Sequence, residues 1–180
     1  MVVVEFRKYL IRLSMRNEFV HFIRNAPLLT PTHSEGPPQF TKTFQTTLGN
    51  STNEYLHVTQ YLDINQQQDM FLSLQQTTTP NTNPLLNSIH SSHSELYIPA
   101  PNLIDSLFPT IPETSKNTNV YEFREYQLVP GYETIPRVLE AFSNGLHDKL
   151  NASDRSDGVP LFFGYSEVGV LNRFVELWWF

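Results

Sequence analysis

The 180-residue chain contains no cysteine. That excludes a disulfide scaffold, a thiolate zinc centre and a cysteine nucleophile. Charge is also scarce: Asp, Glu, Lys and Arg make up 17% of the residues, against the usual ~25%. A basic surplus is missing, because the formal net charge is -6. A protein that tracks a phosphate backbone should be basic, so nucleic acid is not expected as a partner. No run approaches the ~18 apolar residues of a membrane span, so no transmembrane segment is expected. The N-terminus lacks a basic stretch followed by ~7–15 apolar residues, the mark of a signal peptide. Only Val2, Val3 and Val4 precede Glu5. Arg7, Arg12 and Arg16 suit a mitochondrial presequence, but Glu5 and the strand-like pattern do not, and the cytoplasm is the default location. Without secretion the sequons at Asn50 and Asn151 are idle. A Ser-His-Asp order, a phosphate loop and a zinc-protease motif are missing too. No catalytic residue, cofactor or metal is therefore expected. His90 and His93 lack a third ligand of defined spacing.

What is present is a repeat. Val4-Glu5-Phe6-Arg7-Lys8-Tyr9 returns as Tyr121-Glu122-Phe123-Arg124-Glu125-Tyr126, with four of six positions identical. At nearly the same spacing, the pattern from Asn53 to Tyr61 returns from Asn172 to Phe180, with Gly49 and Gly169 ahead of each. Two matches at nearly one spacing indicate an internal duplication. In the first copy, Val2 to Leu13 is rich in β-branched and aromatic residues, a strand signal. Ser14 is a suitable helix N-cap. Met15, Phe19, Phe22, Ile23 and Ala26 follow at helical spacing, and Pro27 and Pro31 stop the helix. After a loop from Thr32 to Gln39, strands are expected near 40–48 and 53–62, then a helix over 64–76 anchored by Met70, Phe71 and Leu74. More than half of the residues from Ile64 to Ser94 are Ser, Thr, Asn or Gln. Too little apolar surface remains there to offset ordering entropy, so 77–94 is expected to be a mobile polar loop. Glu95 to Pro99 reads as a short edge strand.

The first copy is thus βαββαβ, the ferredoxin-like order. Residues 1–100 form this first unit, 101–119 a linker and 120–180 the second unit. The second unit has a strand at 120–129, a turn at Pro130-Gly131 and a helix carrying Ile135, Val138, Leu139, Phe142 and Leu146. A polar loop over 151–158 and strands at 161–166 and 172–180 complete it. It reads βαββ and is expected to be incomplete, with an open edge along its first strand and some bared apolar surface. The fold class is α+β, with tandem ferredoxin-like units.

The combination resembles the NIPSNAP family in its two-copy form, with the second copy truncated. The resemblance rests on Glu5 to Tyr9, Met15 to Phe19 and Thr32-His33-Ser34-Glu35 in copy one. In copy two it rests on Tyr121 to Gly131 and on Gly169-Val170-Leu171-Asn172-Arg173-Phe174-Val175-Glu176-Leu177-Trp178-Trp179. It covers about residues 2–75 and 120–180. It implies a dimeric α/β-barrel fold, in which two ferredoxin-like sheets pack through their open faces with helices outside. It also implies a mitochondrial location and an interaction protein without catalysis of its own, acting in mitochondrial quality control (mitophagy) or vesicular transport. Relatives that share only the fold include monooxygenases and haem enzymes, and a fold alone carries no function. The implied partners are mitochondrial or autophagy proteins, with homo-oligomerisation through the incomplete unit as a further expectation.

Strand alternation places Glu5, Arg7 and Tyr9 on one face and Val4 and Phe6 on the other. Copy two repeats this with Glu122, Arg124 and Tyr126. If the apolar residues meet the helices, the two triplets line a cavity between the sheets. His57 and Glu176 occupy equivalent places on the third strands and join it. An Arg there suits a carboxylate or phosphate, and a His beside carboxylates suits a general base. These eight residues are the ligand candidates of the contrasting hypothesis, a small-molecule-binding protein or enzyme. His33 and Glu35 are a local polar pair in the first loop.

Overall fold

The computed structural model describes residues 1–25, 38–77, 84–109, 120–152 and 158–180. It has α+β architecture and divides into two compact units, Met1–Glu95 and Leu96–Phe180. The expected stops at Pro27 and Pro31, the pair His33 and Glu35, the last ten linker residues and most of the second polar loop lie outside the described residues.

Unit 1 follows the order strand, helix, strand, strand, helix, strand. Its strands are β1 (Val3–Ile11), β2 (Phe40–Gln45), β3 (Glu54–Tyr61) and the first half of β4 (Ile89–Pro99). Its helices are α1 (Arg16–Asn25), α2 (Ile64–Thr77) and the short α3 (Pro84–Ser88). The strand order is β2–β3–β1–β4, as the ferredoxin-like connection requires. β3 runs antiparallel to both β1 and β2.

Ser14 does not cap α1. It lies in a 3-10 turn, Leu13–Met15, that Arg12 opens, and α1 follows directly. A clear cap stands on α2, where Asp63 Oδ1 accepts the Gln66 N–H at 2.9 Å and Gln66 Oε1 accepts the Leu62 N–H at 2.8 Å. That reciprocal pair satisfies two N–H groups at the helix entrance, worth about 1 kcal/mol. Phe19 of α1 is buried against Tyr55 and Tyr9, with ring centroids 4.9 and 6.1 Å away. Val20 and Ile23 pack on the same cluster, which includes Ile11. Met70 of α2 packs on Val3 and Tyr61, whereas Phe71 is largely exposed.

The polar segment differs from its expectation. Residues 84–88 are helical and 89–94 begin an eleven-residue strand. His90 to Ser94 are exposed, so side-chain burial does not order them. Main-chain bonding does, since strand ladders need backbone groups and not apolar side chains. The Arg12 N–H donates to the Ser88 carbonyl at 2.9 Å where this strand begins. The remaining part of the expected loop, residues 78–83, is outside the described residues.

Unit 2 contains the second half of β4, then β5 (Tyr121–Gln127), α4 (Thr134–Ala152), β6 (Val159–Val168) and β7 (Arg173–Trp179). Its strand order is β4–β6–β7–β5, so β5 stands at one end, as expected. β5 and β6 each run antiparallel to β7. Phe142 of α4 packs on Phe174 at 4.6 Å and on Phe163 at 5.9 Å. Val138, Leu139 and Leu146 join Trp178, Ala100 and Leu103 in the same core. Residues expected to begin the linker therefore belong to this unit's core. The turns before β3 and β7 match: Gly49 and Gly169 have φ of 91° and 120°, conformations that favour glycine.

Candidate functional site

The helix contacts settle which way each triplet points, and they reverse the expected orientation. Tyr9 touches Phe19 of α1, and Val3 on the same face touches Met70 of α2. Glu5 and Arg7, at the same parity of β1, therefore lie on the helix-bearing face. In unit 2, Tyr126 meets Phe142 of α4 at 6.5 Å, so Glu122 and Arg124 share α4's face. The apolar residues Val4 and Phe6 point the other way and are buried as well. With both faces buried, alternation alone cannot say which face carries the helices.

In unit 1, the Glu5 carboxylate is the centre of the arrangement. Its Oε1 accepts from Arg7 Nη2 at 2.5 Å and Nε at 3.1 Å, and from the Ser94 hydroxyl. Its Oε2 accepts from the Tyr61 hydroxyl at 3.0 Å. Glu5 is 2% exposed. Burial works against the Arg7 charge, but Tyr9 and Glu5 outweigh it and hold the guanidinium firmly protonated. The Tyr61 phenol is pushed up by burial and by the Glu5 carboxylate. Burial likewise raises Tyr9, against the pull of Arg7. His57 lies opposite Arg7 on β3. Its ring nitrogens face Thr43 Oγ1 at 2.8 Å and Thr41 Oγ1 at 3.3 Å. Burial, with the Arg7 charge beside it, lowers its pKa to about 4, against a weaker opposing pull from Glu5.

His57 is therefore neutral near pH 7, and its protonation is linked to folding. Its folded pKa is about 4 and its unfolded pKa 6.5. The stability it supports is complete above pH 6.5 and is lost as pH falls towards 4, because the unfolded chain binds the proton first. We predict that lowering pH from 7 to 5 costs about 2 kcal/mol through this residue. Urea unfolding at both pH values, with His57→Gln alongside, checks it. An identical loss in the variant would refute the assignment.

Unit 2 holds a looser version. Arg124 Nη2 contacts Glu122 Oε2 at 2.6 Å, and Nη1 lies 3.7 Å from Glu176 Oε2. Glu176 is buried and accepts the Trp178 indole N–H at 2.6 Å. The hydrogen bond that Arg124 donates to Glu122 chiefly holds the guanidinium charged. Tyr126 is pushed up to about 12 by partial burial and then by Glu176. The side chains of Glu122 and Arg124 are 44% and 33% exposed, against 3% and 19% for Glu5 and Arg7.

The structure thus gathers Glu5, Arg7, Tyr9 and His57 in unit 1, and Glu122, Arg124, Tyr126 and Glu176 in unit 2. Sequence reasoning missed Tyr61, Ser94, Thr41 and Thr43. Tyr61 and the two threonines share the alternation of His57 and Arg7 and were findable from register. Ser94 sits in the segment read as a loop. A separate groove of about 390 Å³ in unit 2 is lined by Leu103, Ile104, Ser143, Leu146, His147 and Val159, among others, and by none of the eight candidates. Among the described residues, no group of three or more acidic or histidine side chains is placed to hold a metal. No described helix is long and apolar enough to cross a membrane.

No protein-family model and no curated protein sequence matches the chain. Solved structures do. A candidate monooxygenase from Lactobacillus acidophilus NCFM aligns over 99% of this chain and 76% of its own, at TM-score 0.60 and 9% identity. A second candidate monooxygenase, from Fusobacterium nucleatum, aligns over 99% and 75%, at TM-score 0.50 and 8% identity. These likenesses establish the fold and nothing of the chemistry. A NIPSNAP family protein from Agrobacterium tumefaciens covers 55% of this chain and 93% of its own, at TM-score 0.43 and 21% identity.

Proposed function

We propose that the chain is a NIPSNAP-like, mitochondria-associated protein that works through protein contacts, in mitochondrial quality control or vesicle traffic, with no catalysis of its own. The motifs shared with that family support the assignment. The observation that carries the non-catalytic part is the mutual pairing of the candidate residues. Glu5 accepts from three side chains, Arg7 is held by Glu5, and His57 sits between two threonine hydroxyls. A base or an anion clamp needs a free lone pair or N–H aimed at a substrate. These groups are used on one another, as in a buried structural network.

The second reading is a small-molecule binder or enzyme in unit 2. The partly exposed Arg124 beside the buried Glu176 favours it, and the fold shared with two candidate monooxygenases is compatible with it. Two measurements separate these readings. Thermal-shift screening with carboxylates, phosphates, flavins and haem should give no specific stabilisation, while proximity labelling in cells should recover mitochondrial or autophagy proteins. A ligand that raises the melting temperature of the wild type but not of Arg124→Gln would overturn the first reading.

A further inference from the structure

We draw no further inference here: the strongest candidate, the groove in unit 2 that Leu146 and His147 of α4 form with Leu103 and Asp105 of the segment after β4, runs to Pro109, beside ten residues outside the described ones, and nothing in the structure shows what covers it.

Discussion

Glu5→Ala is expected to unfold unit 1 under conditions in which Glu122→Ala leaves unit 2 intact. The two positions are equivalent in the repeat, so sequence alone assigns them equal weight. Their surroundings do not. Removing the Glu5 carboxylate leaves the Arg7 guanidinium in a largely buried site with its counter-charge gone, and it strips the Tyr61 and Ser94 hydroxyls of their acceptor. Breaking a buried pair from one side costs about 3–5 kcal/mol, because a charge remains without compensation. Glu122 is 44% exposed, and its partner Arg124 keeps both water and Glu176 within reach. An exposed pair is worth ~0–1 kcal/mol. Amide hydrogen exchange resolves the outcome by region: protection in β1 and β3 should collapse in the first variant, and protection in β7 should survive in the second. Equal losses in both variants would mean that burial does not set the value of these carboxylates. A conservative Glu5→Gln change should fall between, since it keeps a carbonyl acceptor for Tyr61 but removes the charge.

The same contrast explains what could be read from the sequence. The duplication and the order of elements in both units were legible, because period-two and period-3.6 patterns survive in each copy and the turns carry their glycines. The succession β5, α4, β6, β7 and the place of β5 at the end of the strand order among the described residues followed from those patterns. The orientation of the triplets was not legible. Val3, Tyr9 and Ile11 lie on the helix face with Glu5 and Arg7 between them, while Val4 and Phe6 are buried on the opposite face. A strand apolar on both sides gives alternation nothing to distinguish. The polar strand from Ile89 to Ser94 was lost for a different reason. Its composition is that of a loop, and the neighbouring strand β1 supplies a ladder that orders it. Ser94, the third donor to Glu5, went with it. His57 shows the converse case. Its place on the third strand beside the triplet was legible, but its register opposite Arg7 came from the strand pairing in the structure, and its neutral state from burial and the Arg7 charge.

Trp178→Ala should be the most damaging single change in unit 2, for two separable reasons. The indole is buried against Phe163, with ring centroids 5.5 Å apart, in the core that α4 closes. Truncating such a side chain costs about 3–5 kcal/mol through lost burial and the cavity left behind. Its N–H is also a donor to Glu176, a carboxylate 2% exposed whose counter-charge, Arg124, is 3.7 Å away. Losing the donor leaves a buried acceptor under-satisfied, at about 1–3 kcal/mol. Trp178→Phe separates the two effects, because it keeps most of the ring volume and removes only the N–H. It should cost about 1–3 kcal/mol. The measurement is unusually direct. Trp178 and Trp179 are the chain's two tryptophans and both lie in β7, so the fluorescence of Trp179 in each variant reports unit 2 while far-ultraviolet dichroism follows the whole chain. If Trp178→Phe proves neutral, the hydrogen bond to Glu176 contributes nothing net, and Glu176 must draw its stabilisation from Arg124 and Tyr126 instead. In that event Arg124→Gln should destabilise unit 2 by more than Trp178→Phe does. The hydrogen-bonded arrangement predicts the opposite ranking, since the 2.6 Å contact is closer and better shielded from water than the 3.7 Å one.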